Sequence, residues 1–129
     1  ESAVQIVTAT ENTAEAGAEA ARTLIEASAD GRPTAIFAAT DVLALGVLSA
    51  ADSAGLRVPN HLSVVGFDDI PEAALSVPTL TTVAQSLFEQ GVQAARLALA
   101  SMAGEHVRSP RIPAELVVRE STGVPPRPR

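Results

Sequence analysis

Residues 56–83 read LRVPNHLSVVGFDDIPEAALSVPTLTTV, and the rest of the chain is organised around them. The run Leu62-Ser63-Val64-Val65-Gly66-Phe67 is short, β-branched and bounded by turn residues, the pattern of a strand buried on both faces of a parallel sheet. It runs directly into Asp68-Asp69. Carboxylates at the carboxyl end of a buried strand stand where open α/β sheets bind ligands. Ile70 to Val77 reads as a loop with one helical turn, and Leu80 to Val83 as a second short strand.

Upstream, Val4 to Val7 is a short apolar run that predicts a strand, and Thr8 to Thr13 a polar loop. Asn12 is placed to cap the following helix, with Glu15 three residues on as its capping-box partner. Gly17, Ala20, Ala21, Leu24 and Ile25 form that helix's apolar face, and Asp30-Gly31-Arg32-Pro33 ends it. Thr34 to Ala39 is a second buried strand. Thr40-Asp41 starts the next helix with a capping hydroxyl and a carboxylate near the positive end of the dipole. Val42 to Ala51 is apolar almost all round, which predicts two buried faces, one on the sheet and one on something else. Gly55-Leu56 closes it. Downstream, Leu87, Gly91, Ala94, Ala95, Ala98 and Met102 mark a helix ending near Gly104. Pro110 to Pro113 is extended, Ala114 to Arg119 is a last strand, and residues 123–129 form a disordered tail. Strands alternating with helices predict an α/β fold with a parallel sheet.

Composition removes several functions. The chain has 129 residues, no Cys and only two His, far apart, so neither disulfides nor a zinc site is expected. Net charge is −6 and Lys is absent, which argues against this segment gripping nucleic acid by itself. Its apolar runs are too short to span a bilayer. No catalytic set appears: there is no P-loop and no nucleophile elbow. Asp68 and Asp69 are adjacent, so their side chains diverge, poor geometry for flanking one scissile bond. No enzyme activity, cofactor or metal is therefore expected. The chain begins at Glu1 with no Met, which reads as a partial chain.

The string Val58-Pro59-x-x-Leu62-Ser63-Val64-Val65-Gly66-Phe67-Asp68-Asp69-Ile70-Pro71, followed by Pro78-x-Leu80-Thr81-Thr82-Val83-x-Gln85, closely resembles the LacI/GalR family of bacterial transcription regulators. The resemblance runs from Val4 to Ser121 and concerns the carboxyl-terminal part of the effector-binding domain. It implies a parallel-sheet α/β/α sandwich over residues 1–122, one subdomain of a periplasmic-binding-protein-like effector domain, with the amino-terminal helix-turn-helix and first subdomain absent from this chain. It implies a cytoplasmic homodimer that senses a sugar-like small molecule and meets operator DNA only through the absent headpiece. The alternative on the same fold is a sugar-binding receptor of an ABC transporter. The strings above favour the regulator, and fold alone does not choose.

Carried over by position, the resemblance makes Asp68, Thr40, Asn12, Gln85 and Phe67 effector-binding candidates. Asp68 would accept hydrogen bonds from ligand hydroxyls; the structural alternative is a turn that caps backbone amides, which is also the expected role of Asp69. Thr40 stands where the family usually has Asn, and Asn12 where it often has a stacking aromatic, so bidentate and stacking contacts are both weakened. Gln85 lies at the crossover and serves the effector or the hinge, and Phe67 borders the cleft or joins the core. Leu45, Leu48, Leu75 and Val77 are expected at a two-fold dimer contact. The helix Leu87 to Ala103 would cross to the other subdomain, or swap between copies.

Overall fold

The structure, a computed structural model, describes residues 4–26 and 32–125. Among the described residues, three helices and four strands follow in the order α1 (Ala14–Ile25), β1 (Ala35–Phe37), α2 (Asp41–Ser53), β2 (Ser63–Asp68), β3 (Thr81–Gln85), α3 (Leu87–Met102) and β4 (Ala114–Val117), with a 3-10 turn at Pro71–Ala74. The sheet runs β1-β2-β3-β4. The first three strands are parallel, with Phe37 beside Val65 and Gly66 beside Thr82. β4 departs from the parallel expectation: it is antiparallel to β3, with Thr82 beside Val117 and Gln85 beside Ala114. The chain reaches β4 from α3 at the carboxyl end of β3, and from there it returns antiparallel.

Alternation decides which face is covered. Ile36, Val64, Gly66 and Thr82 share one side and are buried, whereas Phe37 on the other side is 64% exposed. α2 packs on β2 with Ala44, Val47, Leu48 and Ala51 in the core. The second apolar face of α2 meets α1. A Cβ at Gly17 would strike the Leu43 carbonyl and one at Gly46 the Ala14 carbonyl, so the two backbones touch where no side chain fits. The all-round apolar character of α2 is thus explained within the chain. α3 contributes no buried residue.

Local signals act as physical chemistry predicts at α2. Thr40 is its N-cap, accepting from the Leu43 amide at 3.3 Å. At its end Gly55 takes φ 68°, and the Leu56 amide donates to the Ala51 carbonyl at 2.8 Å. Two expectations are corrected at the start of the chain. Thr13, not Asn12, caps α1, accepting from the Ala16 amide. Val4 to Val7 forms no strand: Val4 and Ile6 are nearly fully exposed, and among the described residues no strand pairs with them. Strand formation needs a ladder partner as well as β-branched residues. α1 ends at Ile25, and the Asp30-Gly31 part of the expected stop lies outside the described residues.

The last strand is shorter than expected because Arg119 and Ser121 turn inward. Ser121 is fully buried between β2 and β3: its hydroxyl donates to the Val64 carbonyl at 2.6 Å and accepts from the Thr81 amide at 2.8 Å. It closes the gap at the amino end of the two strands. Of the expected tail, Gly123 donates to Ser63 Oγ and residues 126–129 lie outside the described residues.

Candidate functional site

β2 delivers Asp68 to the carboxyl edge of the sheet, and the chain then reverses sharply. Asp68 has φ 119° and Asp69 φ 57°, both positive in non-glycine residues. After the reversal the Ile70 amide donates to Asp41 Oδ2 at 3.0 Å, Ala73 is buried, and the Leu80 amide donates to the Ala73 carbonyl at 2.8 Å. The turn therefore folds back on its own sheet, and the Asp68 side chain stays at the rim, partly exposed.

Two hydrogen-bonded groups occupy that rim. In one, Gln85 Nε2 donates to Asp68 Oδ1 at 2.8 Å, and Gln90 Nε2 donates to Gln85 Oε1 at 3.1 Å. In the other, the Thr40 hydroxyl donates to Asn12 Oδ1 at 2.6 Å. Each pair sets what is left for a ligand. Asp68 keeps Oδ2 as an acceptor, Asn12 keeps its amide N–H donors, and Thr40 has committed its only proton. Together they offer a charged acceptor and a neutral donor, a set suited to hydroxyl groups. Phe67 is half-buried beside Val83 on the less covered face of the sheet. A surface groove between α1 and α2, lined by Glu15, Glu19, Arg22 and Ser49, contains none of these residues.

Three residues at this edge were not singled out for these contacts from the sequence. Asp41 is fully buried and accepts from Thr82 Oγ1 at 2.6 Å as well as from Ile70, so it does more than favour the start of a helix. Arg119 pairs with Asp69 at 2.6 Å and donates to the Leu80 carbonyl at 2.8 Å. Gln90 extends the Asp68–Gln85 contact onto α3. For Arg119 no local signal exists, since its partner lies fifty positions away. Among the described residues the carboxylate of Asp69 contacts Arg119 rather than a backbone amide, so its contact is an ion pair and not the expected amide cap.

The residues expected at a dimer contact divide. Leu75 and Val77 are 78% and 95% exposed. Leu45 is half-buried, and Leu48 is a core residue at 8% exposure. Leu48 therefore packs within this chain's own core, and Leu75 and Val77 are the exposed members of the expected set.

Residues 2–122 match the family described as periplasmic binding protein-like domain. The HTH-type transcriptional repressor CytR of Escherichia coli (strain K12) is 44% identical over 70 residues, which cover 53% of this chain and 20% of that repressor's length. Among solved structures, a LacI family transcriptional regulator from Bifidobacterium animalis subsp. lactis is 37% identical with a TM-score of 0.82, over 92% of this chain and 43% of that one. The lac repressor dimer bound to operator and an anti-inducer is 32% identical with a TM-score of 0.78, over 85% of this chain and 38% of that one.

Proposed function

The chain belongs to the periplasmic binding protein-like domain family, in its LacI/GalR branch, and from that premise we propose that it is the effector-sensing part of a bacterial transcription regulator. A sugar-like small molecule binds at the Asp68 rim and changes the protein's affinity for operator DNA. The observation that carries this reading is the carboxylate of Asp68 at the carboxyl edge of a parallel sheet, one oxygen held by Gln85 and the other left as an acceptor among the described residues, with the Thr40–Asn12 pair following the neighbouring strand β1. Two of the relatives named above are repressors and the third is a transcriptional regulator, which supports a regulator over a transporter receptor and a binding role over an enzymatic one.

In this reading the ligand sits in a cleft to which this chain supplies one wall, and most of its surface is covered only when a second wall closes on it. α3, which has no buried residue here, is the segment that crosses to that second wall or docks on another copy. Operator contact belongs to a basic headpiece outside these residues, consistent with the net charge of −6. The protein works in the cytoplasm as a homodimer. Leu75 and Val77, together with the half-buried Leu45 of α2, form the pairing surface in this reading, since exposed apolar residues in one short loop mark an interface.

A thermal-shift screen of the intact protein against ribose, glucose, sucrose and adenosine tests the proposal, because a ligand that binds only the native state raises its Tm. A stabilising neutral sugar or nucleoside supports it. Stabilisation by none of them, with sequence-specific DNA binding by residues 1–129 alone, would overturn it.

A further inference from the structure

The backbone that presents Asp68 is strained. A non-glycine residue at φ 119° lies outside the populated regions, and such a conformation persists only where its surroundings over-determine it. Two clamps from distant parts of the chain do this. Asp41, at the start of α2, grips the Ile70 amide just past the reversal, and its other oxygen is fixed by Thr82 of β3. Gly66 makes room for this carboxylate, since a Cβ there would strike Asp41 Oδ1. Arg119, just after β4, holds Asp69 Oδ1 with one guanidinium nitrogen and the Leu80 carbonyl with the other. Its backbone amide is fixed in turn by Thr81 Oγ1 at 2.9 Å.

We propose that Asp41 and Arg119 are positioning residues for the Asp68 carboxylate, locking the reversed turn so that the free oxygen of Asp68 is aimed at the ligand. This rests on the effector-binding reading above. Both guanidinium nitrogens that bond are committed to the protein, and Asp41 is fully buried, so both act through Asp68. Released from either clamp, residue 68 relaxes toward negative φ, which swings its Cα–Cβ bond away from Gln85 and from the ligand. Binding sites lose affinity steeply when the shell that orients a polar contact is loosened.

The test uses the intact protein and whichever of ribose, glucose, sucrose or adenosine raises its Tm. Ligand Kd by calorimetry and ligand-free Tm are measured for wild type, Arg119→Met, Asp69→Asn and the double variant. Asp69 and Arg119 are partly exposed, so these variants avoid the folding risk of changing Asp41. The expected result is a Kd raised about three- to tenfold in each single variant, the scale of a partly exposed ion pair or somewhat more, with the double variant no weaker than the singles. A lowered Tm with unchanged Kd would make the pair merely structural and overturn the inference. A double variant much weaker than Arg119→Met would overturn it too, since the Asp69 carboxylate would then act on the ligand independently of the clamp. If no probe binds wild type, the effector-binding reading fails first, and this inference with it.

Discussion

Thr82 Oγ1 donates a 2.6 Å hydrogen bond to Asp41 Oδ1, and both residues are fully buried. The bond ties the first residue of α2 to the second residue of β3, close to the turn that carries the candidate ligand residue. A buried carboxylate is tolerable only when its oxygens are satisfied, and here each oxygen has one protein donor.

Thr82→Val keeps the shape of the side chain and removes the donor to Asp41. It is expected to destabilise the protein by about 1–3 kcal/mol, the cost of leaving a buried polar group short of a partner. Urea unfolding measures this directly, and a loss too small to resolve would mean that the carboxylate finds another donor.

The α1–α2 contact rests on bare backbone. Gly46→Ala puts a methyl group against the Ala14 carbonyl, which is main chain and cannot swing aside. A loss of about 1–3 kcal/mol is expected, as for other overpacking changes. Gly55→Ala is the comparison: it meets no neighbour and costs only the strain of φ 68°, about 1 kcal/mol. Equal Tm shifts for the two variants would contradict the close-packing account.

Glu120 links stability to acid. The Thr79 amide, and after it the Thr79 hydroxyl, hold its carboxyl below the usual carboxylate range. A depressed folded-state pKa contributes stability that is present above the unfolded value and is lost as pH falls through the folded one. Glu120→Gln should therefore lower Tm near neutral pH, with the gap from wild type closing below the ordinary carboxylate range. A gap that widens on acidification would have the wrong sign. The group is fully exposed, and the effect is expected to be small and salt-sensitive.

The pairing surface has a discriminating pair of variants. Val77→Glu and Leu75→Glu alter exposed loop residues and should lower the sedimentation coefficient of the intact protein while leaving its helical circular dichroism unchanged. Leu48→Glu instead buries a charge in the core and should unfold the chain, because a lone buried charge costs several kcal/mol. If Val77→Glu and Leu75→Glu both remain dimeric, pairing runs through another surface, with α3 the next candidate.

Much of this was legible because local chemistry decided it. The Thr40 cap, the Gly55 stop and the strand before Asp68 are each written in a few adjacent residues. What escaped depended on partners elsewhere in the chain. Val4 to Val7 has strand composition and no strand beside it. Leu48 reads as an interface residue because no local signal shows that it is buried in the chain's own core. Asn12 has capping chemistry, but its carbonyl is engaged by Thr40, twenty-eight positions away. The two clamps on the Asp68 turn join residues about thirty and fifty positions apart. No periodicity or motif announces such pairs.

Ligand binding through Asp68 is the claim on which the rest depends, and calorimetric titration of Asp68→Asn tests it most directly. Asn keeps the acceptor for Gln85 and loses the charged oxygen left for the ligand. With the sugar or nucleoside that stabilises wild type, the account predicts affinity weakened about tenfold or more, at a Tm within a few degrees of wild type. Unchanged affinity in a folded Asp68→Asn protein would contradict it and leave Asp68 as a turn residue.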